Sequence, residues 1–518
     1  MVLQSLEIVD RKGDDVGLID EFRTLTHGEV NARVNQTIHG LRSLGMKPQE
    51  TVCLLAGNRS EFATTWTATQ HAEWQVVPIN WHFSAEEVAY VLQDCDARAL
   101  VADAAFAELA ADAADRAGTE LRVGFGGPID GFVDLEELIA AAPTDEPADQ
   151  TSGRFMLYTS GTTGHPKGVV GSTAVFGGDP LAELATLTSF LELLGIADPD
   201  GVTLANAPLY HGGPLGFSLA PAMLGSTLVM RRKWDAAETL QLIDEHRITN
   251  VYAVPTHFVR LLALPDEVRS AFDGSSLRTV FHTAAPCPPE VKRRMIDWWG
   301  PVINEIYGAS EGGFGMSTLV GSEEWLERPG TVGRPTAISE VYVTDDDGNV
   351  LGPGEVGTIY LRSLLGLDFE YHGAPEKTAA AHHERGGYTA GDVGYLDDDG
   401  YLFLSDRKID MIISGGVNIY PAEIEACLLQ HPAVADIAVI GVPNDEYGEE
   451  VKALIEVTAG AETGDQLVAE LRNHCREHLA GYMVPRSIDF TDLPRTPTGK
   501  LSKRALREPY WENAGRRI

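Results

Sequence analysis

The stretch Tyr158-Thr-Ser-Gly-Thr-Thr-Gly-His-Pro-Lys-Gly168 lies between two apolar runs, Phe155-Met156-Leu157 and Val169-Val170. The apolar flanks predict strands and the middle predicts the loop that joins them. Gly161, Gly164 and Gly168 allow a tight turn that brings backbone N–H groups close to a ligand. Thr159, Ser160, Thr162 and Thr163 add hydroxyls and Lys167 adds a cation, a combination that suits a polyphosphate. It is not a Walker A loop: Gly168, not Ser or Thr, follows the lysine.

Working outward, Thr26-x-x-Glu29 and Ser84-x-x-Glu87 are capping-box patterns that predict helices beginning after Thr26 and after Ser84. Thr51-Val-Cys-Leu-Leu-Ala56 and Val76-Val-Pro-Ile79 read as strands, with a helix from Glu61 onward between them. This alternation predicts doubly wound parallel sheets in a multi-lobe α/β domain. The segment 126–153 is expected to be a plain connection, and 202–302 a second α/β lobe. Val341-Tyr-Val-Thr, the turn Asp-Asp-Asp-Gly-Asn and Gly357-Thr-Ile-Tyr-Leu predict a hairpin in a β lobe. Charged residues near 406–410 mark the expected boundary between an N-terminal domain, 1–406, and a small α+β domain, 407–518.

With 518 residues the chain is long enough for two or more cores. Its 40 Lys and Arg against 76 Asp and Glu give a net charge of −36, which argues against nucleic-acid partners and anionic membranes. Cations that serve an anionic ligand must therefore act locally, which singles out Lys167, Arg407 and Lys500. The five cysteines show no Cys-x-x-Cys pair, so neither a disulfide framework nor a zinc finger is indicated. No basic-then-apolar leader opens the sequence and no run of about 18 apolar residues occurs, so a cytoplasmic protein without a transmembrane segment is expected.

The loop at 158–168 resembles the signature loop of the adenylate-forming superfamily, which includes acyl-CoA synthetases, firefly-type luciferases and peptide-synthetase adenylation domains. Further stretches match that superfamily in order. Tyr307-Gly308-Ala309-Ser310-Glu311 is similar to its Tyr-Gly-x-[Ser/Thr]-Glu motif. The resemblance implies that Tyr307 stacks on adenine, Gly308 belongs to the nucleotide site, Ser310 faces the phosphate, and Glu311 holds Mg2+. His282-Thr-Ala284-Ala285-Pro286 looks like the adenine-flanking turn, and Gly391-Asp392 like the ribose-binding pair. Ala390 stands where the superfamily has Thr and Gly387 where it has an aromatic, which puts the support of Asp392 in question. Arg407 and Ser414-Gly415-Gly416 match the segment after the hinge, where glycines line the pantetheine tunnel, and Pro-Thr-Gly-Lys500 matches the loop carrying the adenylation lysine.

These likenesses imply an ATP-dependent, AMP-forming carboxylate:CoA ligase with a mobile C-terminal lid. Glu311, Lys500, Thr159 and His211 form the expected catalytic set, with ATP, Mg2+ and coenzyme A as cofactors and a carboxylic acid as substrate. His211 is either a gate beside the carboxylate or a packed histidine. The acyl pocket is expected from 208–213, 252–256 and 312–315. Glycines after Glu311 favour a medium-chain, long-chain or otherwise bulky acid over acetate. Ile409 stands at the expected pivot, where relatives carry a polar residue. Whether the chain acts alone or as a homodimer stays open, as does an acceptor other than CoA. A rival reading takes Gly308-x-Ser310-x-Gly312 as the nucleophile elbow of an α/β-hydrolase, with a later histidine such as His372, His382 or His383.

Overall fold

The computed structural model describes residues 2–159, 166–171, 180–312, 317–407, 410–414, 417–444, 446–458, 460–493, 501 and 503–511. A six-stranded sheet runs in the order Val133–Asp134, Leu121–Phe125, Ala97–Asp103, Thr51–Leu55, Gln75–Pro78 and Arg154–Phe155, parallel throughout. Alternate residues of its central strand enter different cores: Val52 and Leu54 pack in one, Cys53 and Leu55 in the other. Both faces are thus covered, which is why the strand is apolar from Val52 to Leu55. Both capping boxes form, each with side chain and backbone reciprocally bonded, before the helices His27–Ser43 and Ala85–Asp94.

A second, 13-stranded sheet has a parallel centre: Ile303–Gly308, Thr279–His282, Asn250–Ala253, Val202–Ala205, Thr227–Met230 and Val16–Ile19. Antiparallel strands extend it through Ser317–Val320, Thr331–Pro335, Leu402–Arg407, Asp392–Leu396, Gly357–Ser363 and Ser339–Thr344. A five-stranded sheet from Ile412–Ser414 to Ser487–Phe490, with the helices Pro421–Leu428 and Asp465–His478, has its own core around Ile412, Val439 and Leu471.

Two local expectations are corrected. The segment 126–153 holds a short strand and the helix Leu135–Ala140, because Asp134 caps that helix through Glu137 N–H and Leu135 and Ile139 are buried. The hairpin at 341–360 forms with Thr344 opposite Thr358, but the Asp-Gly pair does not close it as a two-residue turn. The Asp345 carboxylate instead accepts from the amides of Asp347 and Asn349, folding the connection back on itself.

Candidate active site

The phosphate-type loop springs from a small antiparallel sheet made of Leu157–Thr159, Lys167–Gly171 and Phe369–Tyr371. Thr159 pairs with Lys167, so the two ends of the loop are pinned opposite each other. Val169 pairs with Tyr371, and side chains alternate along a strand. Lys167 is therefore a diagonal neighbour of Tyr371 on one face. The geometry agrees: the Lys167 ammonium sits 5.3 Å from the centre of the Tyr371 ring. On the opposite face the Tyr158 hydroxyl donates to Asp94 at 2.6 Å, and a side chain at Gly168 would run into Met156 Sδ at 2.8 Å. Gly168 is thus required by packing as well as by its place beside the loop.

Tyr371 also reaches the second motif. Its hydroxyl donates to Glu311 Oε1 at 2.8 Å, and burial followed by that carboxylate pushes its ionisation well above the ordinary tyrosine range, so it stays a donor. Glu311 lies in the single turn Ser310–Gly312 that follows the strand Ile303–Gly308. Within the same strand, Tyr307 donates to Asp392 Oδ2 at 2.9 Å, so the residues expected at adenine and ribose are joined directly. The support of Asp392 questioned above comes from a neighbouring position: Thr389 Oγ1 accepts the amide of Gly391, whose φ of +85° turns the chain into the strand Asp392–Leu396. The turn at Ala284, Ala285 and Pro286 follows the strand Thr279–His282, with Ala284 at φ +77°, a left-handed conformation unfavourable for alanine. This turn and Tyr307 lie at the carboxyl ends of adjacent parallel strands, where open α/β sheets bind ligands.

Behind that edge is a buried charge cluster that the sequence did not reveal. Lys292 is fully buried and its ammonium lies 2.7 Å from Glu305 Oε2, with His282 Nε2 3.5 Å from the same oxygen. Burial lowers the proton affinity of Lys292 and His282 and raises that of Glu305. Lys292 also lies 4.7 Å from the centre of the Trp325 ring. The cluster joins the helix Pro289–Trp299 to the two strands that carry the turn at Ala284 and Tyr307.

The expected acyl-pocket segments meet as well. His211 precedes the helix Gly212–Met223, its ring 4.4 Å from that of Tyr210. A side chain at Gly213 would come within 2.6 Å of the Tyr252 hydroxyl, and Phe217 packs on Tyr252 and Phe281 at 5.8 and 4.8 Å between ring centres. His211 and Val254 follow the strands Val202–Ala205 and Asn250–Ala253, so this apolar group lies at the same sheet edge as Tyr307.

Ser160, Gly161, Thr162, Thr163, Gly164, residues 313–315, Ile409, Gly415, Gly416, Lys500 and the Arg407 side chain lie outside the described residues. The hydrolase reading finds no partner for Ser310 in the three histidines. His372 donates to the Asp94 carbonyl, His382 bonds Thr378 and Asp368, and His383 donates to the Gly348 carbonyl.

Comparison with known proteins accounts for nearly the whole chain. The family model for AMP-binding enzymes matches residues 7–365, and that for the AMP-binding enzyme C-terminal domain matches 423–500. A feruloyl-CoA synthase from Amycolatopsis sp is 36% identical over 495 residues, covering 94% of each chain. A long-chain-fatty-acid–CoA ligase from Mycobacterium tuberculosis is 33% identical over 494 residues, covering 94% of this chain and 93% of its own. Among solved structures, an anthranilate CoA ligase in complex with anthranoyl-AMP superposes with a TM-score of 0.86 at 27% identity, covering 99% of this chain and 98% of its own.

Proposed function

The chain belongs to the AMP-binding enzyme family, and from that membership we propose that it is an AMP-forming ligase joining a bulky or medium- to long-chain carboxylic acid to coenzyme A. In the first step the acid's carboxylate attacks the α-phosphorus of ATP, a P–O bond forms, and pyrophosphate leaves. In the second, the CoA thiolate attacks the carbonyl carbon of the acyl-adenylate and AMP leaves. No protein nucleophile takes part, so catalysis rests on positioning and on neutralising phosphate charge.

The observation that carries this reading is the pair of hydrogen bonds from Tyr371 to Glu311 and from Tyr307 to Asp392. Together with Lys167 beside Tyr371 they link, between the small three-stranded sheet and the large one, a cation for phosphate, a carboxylate for a hard cation, an aromatic ring for a base and an acceptor for ribose hydroxyls. The Glu311 oxygen fits Mg2+, which takes carboxylate and phosphate oxygens and would offset phosphate charge when bound. Lys500 acts at the α-phosphate during adenylation, and a hinge near 406–410 carries the domain 407–518 between the two steps. The feruloyl and anthranoyl groups in the relatives' names support an aromatic or otherwise bulky acid. All five cysteines are free thiols even though the sulfurs of Cys53 and Cys95 lie 3.4 Å apart, which supports a reducing cytoplasm.

A panel of aromatic, medium-chain and long-chain acids tests the reading. Pyrophosphate and AMP should appear only with ATP and a divalent cation, and the thioester only when CoA is added. Release of ADP and phosphate, or hydrolysis of a simple ester without ATP, would overturn it.

A further inference from the structure

The second domain carries a group of side chains for which adenylation has no use. Cys427 on the helix Pro421–Leu428 and His474 and His478 on the helix Asp465–His478 each offer one ligand atom, and the three atoms lie within 4.8 Å of one another. We propose that Cys427, His474 and His478 form a binding site for a zinc-class divalent metal ion, separate from the Mg2+ chemistry at Glu311.

The hydrogen bonds around the group are those a metal site needs. His474 Nε2 donates to the Cys427 carbonyl at 3.0 Å, and His478 Nδ1 donates to the His474 carbonyl at 2.8 Å. A carbonyl oxygen only accepts, so each bond fixes a tautomer and leaves the other ring nitrogen with its lone pair; such outer bonds orient histidine ligands in metalloproteins. The two histidines stand one helical turn apart, with ring centres 4.5 Å from each other. His431 packs edge-on to His474, but its Nδ1 already accepts from the Ala433 amide, so the fourth position falls to water.

Burial grades across the group, with Cys427 buried, His474 half-buried and His478 exposed, which leaves an entry path from solvent. One thiolate and two imidazoles select Zn2+ or Co2+ over Mg2+ or Ca2+, which prefer all-oxygen shells. On binding, Cys427 gives its proton to solvent, a sulfur–metal bond and two nitrogen–metal bonds form, and water leaves the ion; nothing is oxidised or reduced. The ion fastens one helix to the other. The first of them begins directly after the strand Val417–Ile419, so the tie acts on the segment proposed to face coenzyme A.

The test is a Co2+ titration of the full-length, chelator-stripped protein. One Co2+ per chain should bind with a thiolate-to-cobalt charge-transfer band and tetrahedral visible bands, both displaced by one equivalent of Zn2+. His478→Gln, at an exposed position where folding is undisturbed, should weaken Co2+ binding about tenfold or more. Cys427→Ser should abolish the charge-transfer band, while Glu311→Gln should leave the titration unchanged. Absence of the band in the parent, or an identical titration in His478→Gln, overturns the proposal.

Discussion

Replacing Tyr371 by Phe removes one oxygen and leaves the ring in place, isolating the bond from its hydroxyl to Glu311 Oε1, 2.8 Å long. A hydrogen bond to a charged acceptor contributes roughly 1.5–3 kcal/mol, and partial exposure here places the effect near the lower value. At about 1.4 kcal/mol per decade, adenylation should slow on the order of tenfold, with part of the loss recovered at high Mg2+. Phe keeps an aromatic face towards Lys167, 5.3 Å away. Tyr371→Leu loses that face too and should fall a further few-fold, as expected for a cation–π contact of about 0.5–1 kcal/mol. The assay is pyrophosphate release across a Mg2+ titration, paired with thioester formation from synthetic acyl-adenylate and CoA. Parental adenylation in Tyr371→Phe at every Mg2+ concentration would refute the reasoning, as would equal slowing of both steps.

Lys292→Met strands Glu305 in the core and should destabilise the protein by about 3–5 kcal/mol in denaturant unfolding at neutral pH, with Lys292→Met/Glu305→Gln recovering most of it. Burial already raises the proton affinity of Glu305 and the lost ammonium no longer opposes it, so the folded variant holds a proton that the unfolded chain releases. The deficit relative to the parent should therefore be smallest at acid pH and grow as pH rises through the folded-state pKa of Glu305; a pH-independent deficit would contradict this. Gly213→Ala places a methyl 2.6 Å from the Tyr252 hydroxyl and should raise KM for the acid several-fold while KM for ATP holds; equal changes in both would move Gly213 out of the acyl site. Lys500→Ala should lose about 10²–10³ in adenylation yet still convert acyl-adenylate to thioester, as single-turnover measurements of each step would show.

What could be read in advance was local. Thr26 with Glu29 and Ser84 with Glu87 announce their helices because the bonding partners lie three residues apart. The strand Thr51–Leu55 is buried at every position and apolar from Val52 onward because both its faces are covered. Glu311 and Asp392 were legible as members of motifs, but their partners were not. Tyr371 lies 60 residues from Glu311, in a strand of three residues that only pairing with Lys167–Gly171 creates. Lys292 sits in Lys292-Arg-Arg294, which reads as a solvated charge run; the one hint was an acid, Glu305, inside an apolar strand. The helix Leu135–Ala140 escaped because six residues are too few to show a period.

Pairing of the strand Lys167–Gly171 with both Leu157–Thr159 and Phe369–Tyr371 has a consequence for how the chain is made. Until residue 371 has left the ribosome, Lys167–Gly171 has one neighbour and one open edge, with Val169 and Val170 in its middle. The missing strand follows about 200 residues later, a wait of roughly 10–40 s at ordinary rates of synthesis. An unpaired apolar edge is a template for pairing with other chains. Fragments that stop near residue 365, where the first family model ends, would keep that edge open permanently. They should aggregate through the hairpin that carries Thr159 and Lys167.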